Sequence, residues 1–211
     1  MATAAIVAIV LAYTWLLAPI APRWTASVAG ALVVAVAIAR AVKTGEWGLR
    51  ASALVPALWR AAAFTIAGAL VLYAASARLG TWHGRHLSAA ELAILLLWGL
   101  GQQFVLQTVI LREVTVRLTD SAKATSVKKP DATYFSCAIA ALVFAALHLP
   151  NPFLAAVTFA GALAWCWIYS RYPNILPLAL SHALLTILIL SAFDDQITGR
   201  LRVGAAYLAL D

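Results

Sequence analysis

Long apolar runs recur along the whole chain, and short clusters of Arg, Lys, Pro and Gly separate them. A helix needs about 20 apolar residues to cross the hydrocarbon core of a bilayer, which is about 30 Å thick. The runs cover about 3–18, 25–42, 54–76, 91–111, 134–149, 153–170 and 175–193. They predict an all-α fold, a polytopic transmembrane helix bundle of seven helices, or of eight if residues 47–59 also enter the bilayer.

The composition supports a protein with almost no soluble part. Of the 211 residues, 64% are hydrophobic and 11% are charged, whereas a water-soluble domain carries about 25% charged residues. No shift in composition marks a second unit, so we expect a single membrane domain over residues 1–211. The net charge of +7 is typical of loops that face anionic lipid. It comes without a basic stripe and interleaved aromatics, so nucleic-acid binding is not expected.

The basic residues concentrate on one side of the predicted bundle. The richer side carries Arg40, Lys43, Arg50, Arg60, Arg112, Arg117, Lys123, Lys128, Lys129 and Arg171. The positive-inside rule places this side in the cytoplasm. The longest polar loop, predicted from Arg112 to Thr133, lies on it, and the N-terminus is expected outside.

Three groups of polar side chains lie in or just after the apolar runs. They are Gln102, Gln103 and Gln107 in the fourth run, His148 with Asn151 close behind it in the fifth, and His182 with Thr186 in the seventh. Polar groups at membrane depth are costly and usually face the bundle interior. Gln103 and Gln107 are four residues apart, as are His182 and Thr186, so each pair shares a helix face. We expect the three groups to meet in one polar pocket.

No metal or other cofactor is expected from the sequence. His148 and His182 without a carboxylate or a cysteine beside them would be an incomplete ligand set for zinc. Cys137 and Cys166 both fall within apolar runs, where a thiol behaves as a small hydrophobic group. We therefore expect these cysteines to serve packing.

The order and spacing of the polar groups resemble the CPBP intramembrane proteases, which include the Rce1-type CAAX prenyl endopeptidases (CAAX prenyl protease 2). That family has Glu-Glu-x-x-x-Arg on one helix, Phe-x-x-x-His on the next and His-x-x-x-Asn on a later one. Here Phe144-x-x-x-His148 matches fully, and His182 matches the third motif's histidine. Thr186 replaces the asparagine, and the first motif reads Gln-Gln-x-x-x-Gln. The resemblance covers about residues 91–193 and, as a likeness to the bacterial branch, implies a bacterial inner (plasma) membrane.

The resemblance also implies roles for these residues. In the family, the first glutamate and the histidine of the second motif activate water, and the later His and Asn stabilise the oxyanion. The catalytic positions carried over are His148, His182, Thr186, Gln102 and Gln103, and the substrate-binding positions are Gln107, Phe144 and Asn151. A glutamine amide cannot take a proton from water near neutral pH, so Gln102 cannot be the general base. The arginine position of the family's first motif is neutral as well. All three charged positions of that motif are therefore uncharged in this chain.

Three functions stay open on the sequence. One is an intramembrane endopeptidase whose base is a histidine. Another is a pseudoprotease, which binds a membrane peptide or a prenylated protein in the bilayer without cutting it, or which scaffolds a partner protein. The third is an enzyme that modifies a lipid or an isoprenoid in the same pocket. The missing glutamates favour the pseudoprotease, and the sequence gives no indication of the oligomeric state.

Overall fold

The computed structural model describes residues 1–22, 24–125 and 132–210. This part of the chain is helical with no strand, and its one β-bridge joins Leu49 to Asn174. The helices are α1 (Ala2–Leu11, continued by a π-helical segment Ala12–Leu17), α2 (Trp24–Thr44), α3 (Leu54–Leu79), α4 (Ala89–Phe104), a π-helical segment Val105–Leu111, α5 (Arg112–Thr125), α6 (Ala132–Ala146), α7 (Pro152–Arg171), α8 (Ile175–Ala192), and the short α9 (Asp195–Thr198) and α10 (Ala205–Leu208). The predicted all-α bundle is confirmed.

Five helical stretches are long and apolar enough to cross a membrane: Trp24–Thr44, Ala51–Leu79, Ala89–Ser121, Pro152–Arg171 and Ile175–Ala192. Two shorter apolar helices, Ala2–Leu17 and Thr133–Ala146, correspond to the first and fifth predicted runs. The described residues provide no eighth crossing near Trp47. Residues 45–50 form a loop, a 3₁₀ turn follows at Ala51–Ala53, and Trp59 belongs to α3.

The polar segment after the fourth run is helical, and its prediction as a loop from Arg112 is wrong. The helix continues through the π segment into α5 and ends at Thr125. No proline or glycine interrupts residues 112–125, so nothing breaks the helix when it leaves the apolar region. Of the remainder of the predicted loop, residues 126–131 lie outside the described residues, and residues 132–133 belong to α6.

The loops at one end of the bundle are tied together. Gly48 O accepts a hydrogen bond from Ile175 N at 2.9 Å, and the Arg50 N–H donates to Pro173 O at 3.1 Å. Glu46 forms an ion pair of 2.8 Å with Arg112 at the start of α5. We call this the basic end, defined by Arg40, Arg50, Arg60, Arg112 and Arg171. The other end, where Thr81, Leu149, Ser191 and Gly204 make inter-loop hydrogen bonds, is the opposite end.

The N-terminus lies at the basic end. Glu113 Oε2 accepts from the Met1 amino group at 3.1 Å, and Oε1 accepts from Ala2 N at 2.9 Å. The prediction that the N-terminus and the basic loops lie on different sides of the membrane is therefore wrong. Two helical segments, Ala2–Leu17 and α2, precede the first basic loop, so the chain runs from the basic end to the opposite end and back.

Helix α8 packs closely against α4 because Gly99 lacks a side chain. A Cβ atom on Gly99 would lie 3.0 Å from the backbone oxygen of Ala179 and 3.7 Å from the Cβ of His182. Small residues permit such close approach between membrane helices. The approach brings the segment one turn beyond Gly99, which begins at Gln103, beside His182.

Candidate active site

Gln103 stands at the centre of a buried hydrogen-bonded chain. Its amide nitrogen lies 3.3 Å from Nδ1 of His182, and its amide oxygen accepts from Nε2 of Gln107 at 2.9 Å. The side chains of both glutamines are fully buried, and His182 is buried. The four-residue spacing puts both amides on one face, and Gly99 brings that face against α8. The three groups form a polar cluster, Gln107–Gln103–His182, in the middle of the bundle.

The hydrogen bonds assign the proton of His182. Gln103 uses its oxygen for Gln107, so its NH₂ group faces Nδ1 of His182. Nδ1 then accepts, and in a neutral imidazole the proton sits on Nε2, an assignment inferred from the network. His182 is thereby set up as a hydrogen-bond donor through Nε2.

Aromatic rings hold His182 from α6 and α7. The indole of Trp165 stacks on the imidazole, with centroids 4.7 Å apart and planes at 19°. Phe144 approaches the same ring edge-on at 6.5 Å. Trp165 is itself fixed, because its Nε1 donates to Ser181 Oγ at 3.1 Å and that oxygen also accepts from Thr65 of α3 at 2.7 Å.

His148 reaches the site through Phe144. The imidazole of His148 lies 4.9 Å from the Phe144 ring, which also contacts His182. Nδ1 of His148 lies 2.8 Å from the Phe144 carbonyl oxygen, and since a carbonyl only accepts, Nδ1 carries the proton. Burial is the main cause that lowers the pKa of His148, which stands in the turn after α6. Nε2 is then an unprotonated nitrogen near neutral pH.

Residues 86–188, just under half of the chain, match the family model described as Type II CAAX prenyl endopeptidase Rce1-like. The predicted resemblance to the Rce1-type endopeptidases is confirmed over this segment. The comparisons with curated proteins and with solved structures gave no significant match.

The matched segment contains all of the motif positions. The structure brings Gln103, Gln107, His182 and Phe144 together, with His148 adjacent through Phe144. Gln102 is only partly buried, and its side chain makes no hydrogen bond with the described residues. The second glutamine of the motif, rather than the first, is the one that contacts His182.

Thr186 and Asn151 have their polar atoms in structural contacts. The Thr186 hydroxyl donates to the backbone oxygen of His182 at 3.0 Å, a bond within its own helix. Asn151 is fully buried, caps α7 by accepting from Leu154 N at 3.0 Å, and donates to Thr198 O at 2.9 Å. It therefore joins the start of α7 to the C-terminal segment, and its predicted contact with substrate stays a prediction.

Sequence reasoning missed the residues that support His182. Trp165, Ser181 and Thr65 belong to no motif, and each lies in an apolar run where an aromatic or small hydroxyl residue is unremarkable. The one available signal was Gly99, a small residue one turn before Gln103 on the same face. Among the described residues, no group of three His, Cys, Asp or Glu side chains gathers as a metal-ligand set.

Proposed function

We propose that this Rce1-like protein is a pseudoprotease, which binds a membrane-embedded peptide or prenylated chain without cleaving it. The observation that carries the proposal is the neutral chain Gln107–Gln103–His182. It occupies the positions where the family has a glutamate and an arginine, and it replaces an ion pair by a pair of amides. General base catalysis contributes about 10²–10⁴-fold to a rate, and an amide cannot supply it.

The carboxylates that the structure describes lie away from the polar cluster. Glu113 holds the start of α1, Glu46 pairs with Arg112, and Glu91 caps α4 through Ser88. Asp194 and Asp195 lie at the opposite end, near His83 and Arg200. Asp120 is exposed in α5. None of these groups bonds to the polar cluster, which supports a site without a carboxylate base.

The cluster is suited to hold a carbonyl group. With Nδ1 of His182 engaged by Gln103, the Nε2–H is the donor left for a ligand. A hydrogen bond at membrane depth is worth about 0.6 kcal/mol on average and up to about 1.7 kcal/mol. A donor of this strength can orient the backbone of a bound peptide, while the apolar surroundings accept a prenyl chain or an apolar side chain.

A second candidate, an active endopeptidase with a histidine base, is favoured by one observation. His148 donates through Nδ1 to the Phe144 carbonyl, so its Nε2 has a free lone pair. A base must reach water at hydrogen-bonding distance, and it works best when a second group orients it. The carbonyl of Phe144 orients the ring, but it lacks the charge that would stabilise an imidazolium as a carboxylate does.

The binding function is tested with a fluorescent farnesylated CAAX peptide and the full-length protein in lipid nanodiscs. We expect native protein to raise the anisotropy of the peptide saturably, while mass spectrometry of the same sample finds the peptide intact. His182→Ala should weaken binding about three- to tenfold, the loss of one membrane hydrogen bond and its packing. His86→Ala, at an exposed loop histidine, is the matched control and should bind as native. If His182→Ala binds the peptide as tightly as His86→Ala, His182 is not part of the binding site.

A further inference from the structure

A second concave site lies between α3, α6 and α7, away from the polar cluster. Its volume is about 690 Å³, within the range of about 300–1,000 Å³ that ligand pockets span. Along α7 it extends from Ala160 to Ile168, which is about 12 Å at 1.5 Å per residue. We call this site the basic cleft, because Arg60 lines it at the basic end of the bundle.

The body of the basic cleft is apolar. Small residues on α6 and α7, among them Ala138 and Ala164, leave space between the helices, and Phe64 and Trp167 form walls. Two of its helices, α3 and α7, are long and apolar enough to span the bilayer, and α6 is a shorter apolar helix. An occupant of this part must therefore present hydrocarbon.

Two guanidinium groups lie at the basic end of the cleft, since Arg60 lines it and Arg171 contacts two of its lining residues. Arg60 lies over the ring of Tyr172 at 4.1 Å, and Arg171 lies over Trp167 at 4.2 Å. Trp167 and Tyr134 both line the cleft, and the Tyr134 hydroxyl oxygen accepts a hydrogen bond from Arg171 at 3.4 Å. Within the described residues, neither arginine forms an ion pair with a carboxylate. Stacking fixes the planes of both groups and leaves N–H donors at their edges, the arrangement that suits a phosphate.

We propose that the basic cleft binds an anionic glycerophospholipid of the leaflet at the basic end. The phosphate contacts Arg60 and Arg171, and an acyl chain lies between Phe64 and Trp167. Basic pockets between membrane helices on the cytoplasmic side recognise anionic head groups in this way. The site is separate from the proposed peptide site, because Phe64 packs edge-on against Trp165 at 6.0 Å and Trp165 covers His182.

The test is native mass spectrometry of the delipidated full-length protein, titrated with dioleoyl phosphatidylglycerol and with dioleoyl phosphatidylcholine. We expect a preference for phosphatidylglycerol of about tenfold or more, since each arginine near the membrane surface contributes about fivefold. Arg60→Gln should lose about fivefold, and Arg60→Gln with Arg171→Gln should abolish the preference. Ala164→Phe, which fills the cleft, should weaken both lipids.

Controls separate this site from general attraction to charge. Arg117→Gln removes an exposed charge near the same end and should leave the preference unchanged, while Arg60→Lys with Arg171→Lys should fold and keep part of it. Equal affinity for the two lipids, or a preference lost equally in Arg117→Gln, would overturn the proposal. So would competition by glycerol 3-phosphate at concentrations equal to the lipid, because a free phosphate would then suffice without an acyl chain.

Discussion

At the scale of single residues, Gln103 and Gln107 determine the charge of the site. Gln103→Glu would bury a carboxylate against Nδ1 of His182, which accepts a hydrogen bond in the native protein. Gln107→Arg would bury a guanidinium opposite an amide oxygen. An unpaired buried charge costs about 3–5 kcal/mol. We therefore expect each single change to lower the free energy of unfolding by an amount of this order.

The double change should cost less than the sum of the single changes. The two side chains bond to each other in the native protein at 2.9 Å, so glutamate and arginine at these positions can form an ion pair. A double-mutant cycle of unfolding free energies in mixed micelles should give a favourable coupling of about 1–3 kcal/mol. Additive losses would contradict the contact. Gln102→Glu, on a partly buried residue outside the chain, is the control and should cost less than Gln103→Glu.

The sequence permitted the prediction of those site residues that belong to a motif. Polar side chains in apolar runs are conspicuous, and their spacing put Gln103 with Gln107 on one face and His182 on a facing helix. The sequence could not distinguish Gln102 from Gln103, because both are neighbours on the same helix and only the rotation of α4 decides which faces α8. Trp165 could not be predicted at all, since stacking on His182 depends on the packing of two helices distant in sequence.

At the scale of secondary structure elements, the contact between α4 and α8 depends on Gly99. A methyl group there would lie 3.0 Å from the backbone oxygen of Ala179, and backbone cannot yield as a flexible side chain can. We expect Gly99→Ala to destabilise the protein by about 1–3 kcal/mol and to weaken the contact between Gln103 and His182. The expected result is a lower midpoint of thermal unfolding in detergent and weaker binding of the farnesylated peptide.

Gly101 provides a matched control in the same helix. A Cβ atom on Gly101 would meet no atom within 4 Å, and alanine is about 1 kcal/mol more favourable than glycine within a helix. Gly101→Ala should therefore be neutral or slightly stabilising. If Gly99→Ala and Gly101→Ala behave alike, the close approach of α4 to α8 is not needed for stability.

The elements themselves could largely be predicted, because bilayer thickness fixes the length of an apolar run that forms a helix. The exception is α5, whose residues 112–125 are too polar to give an apolar run. Its helical form follows from continuity with the preceding helix and from the absence of breakers, which a search for apolar runs does not consider. The capping role of Asn151 could have been predicted, since an asparagine followed by a proline is a common helix start. Its hydrogen bond to the C-terminal segment could not, because that contact depends on the folded chain.

At the scale of the whole molecule, the positive-inside rule predicts that the basic end faces the cytoplasm. Because Met1 contacts Glu113 at this end, the N-terminus should then be cytoplasmic too. Arg117→Cys should react with an impermeant maleimide only after the membrane is opened, and His86→Cys should react in intact cells. The native Cys137 and Cys166 are buried and should react slowly. The reverse pattern of labelling would invert the orientation.

The pseudoprotease proposal is tested most directly by incubating a membrane-peptide library with the purified native protein in nanodiscs. Cleavage is followed by mass spectrometry. The neutral cluster of Gln103, Gln107 and His182 predicts no cleavage above that of a His148→Ala control. Among the described residues, no carboxylate contacts the cluster to supply the factor of about 10²–10⁴ that a general base contributes. Strong cleavage by the native protein that disappears in His148→Ala would contradict the pseudoprotease proposal and establish a protease with a histidine base.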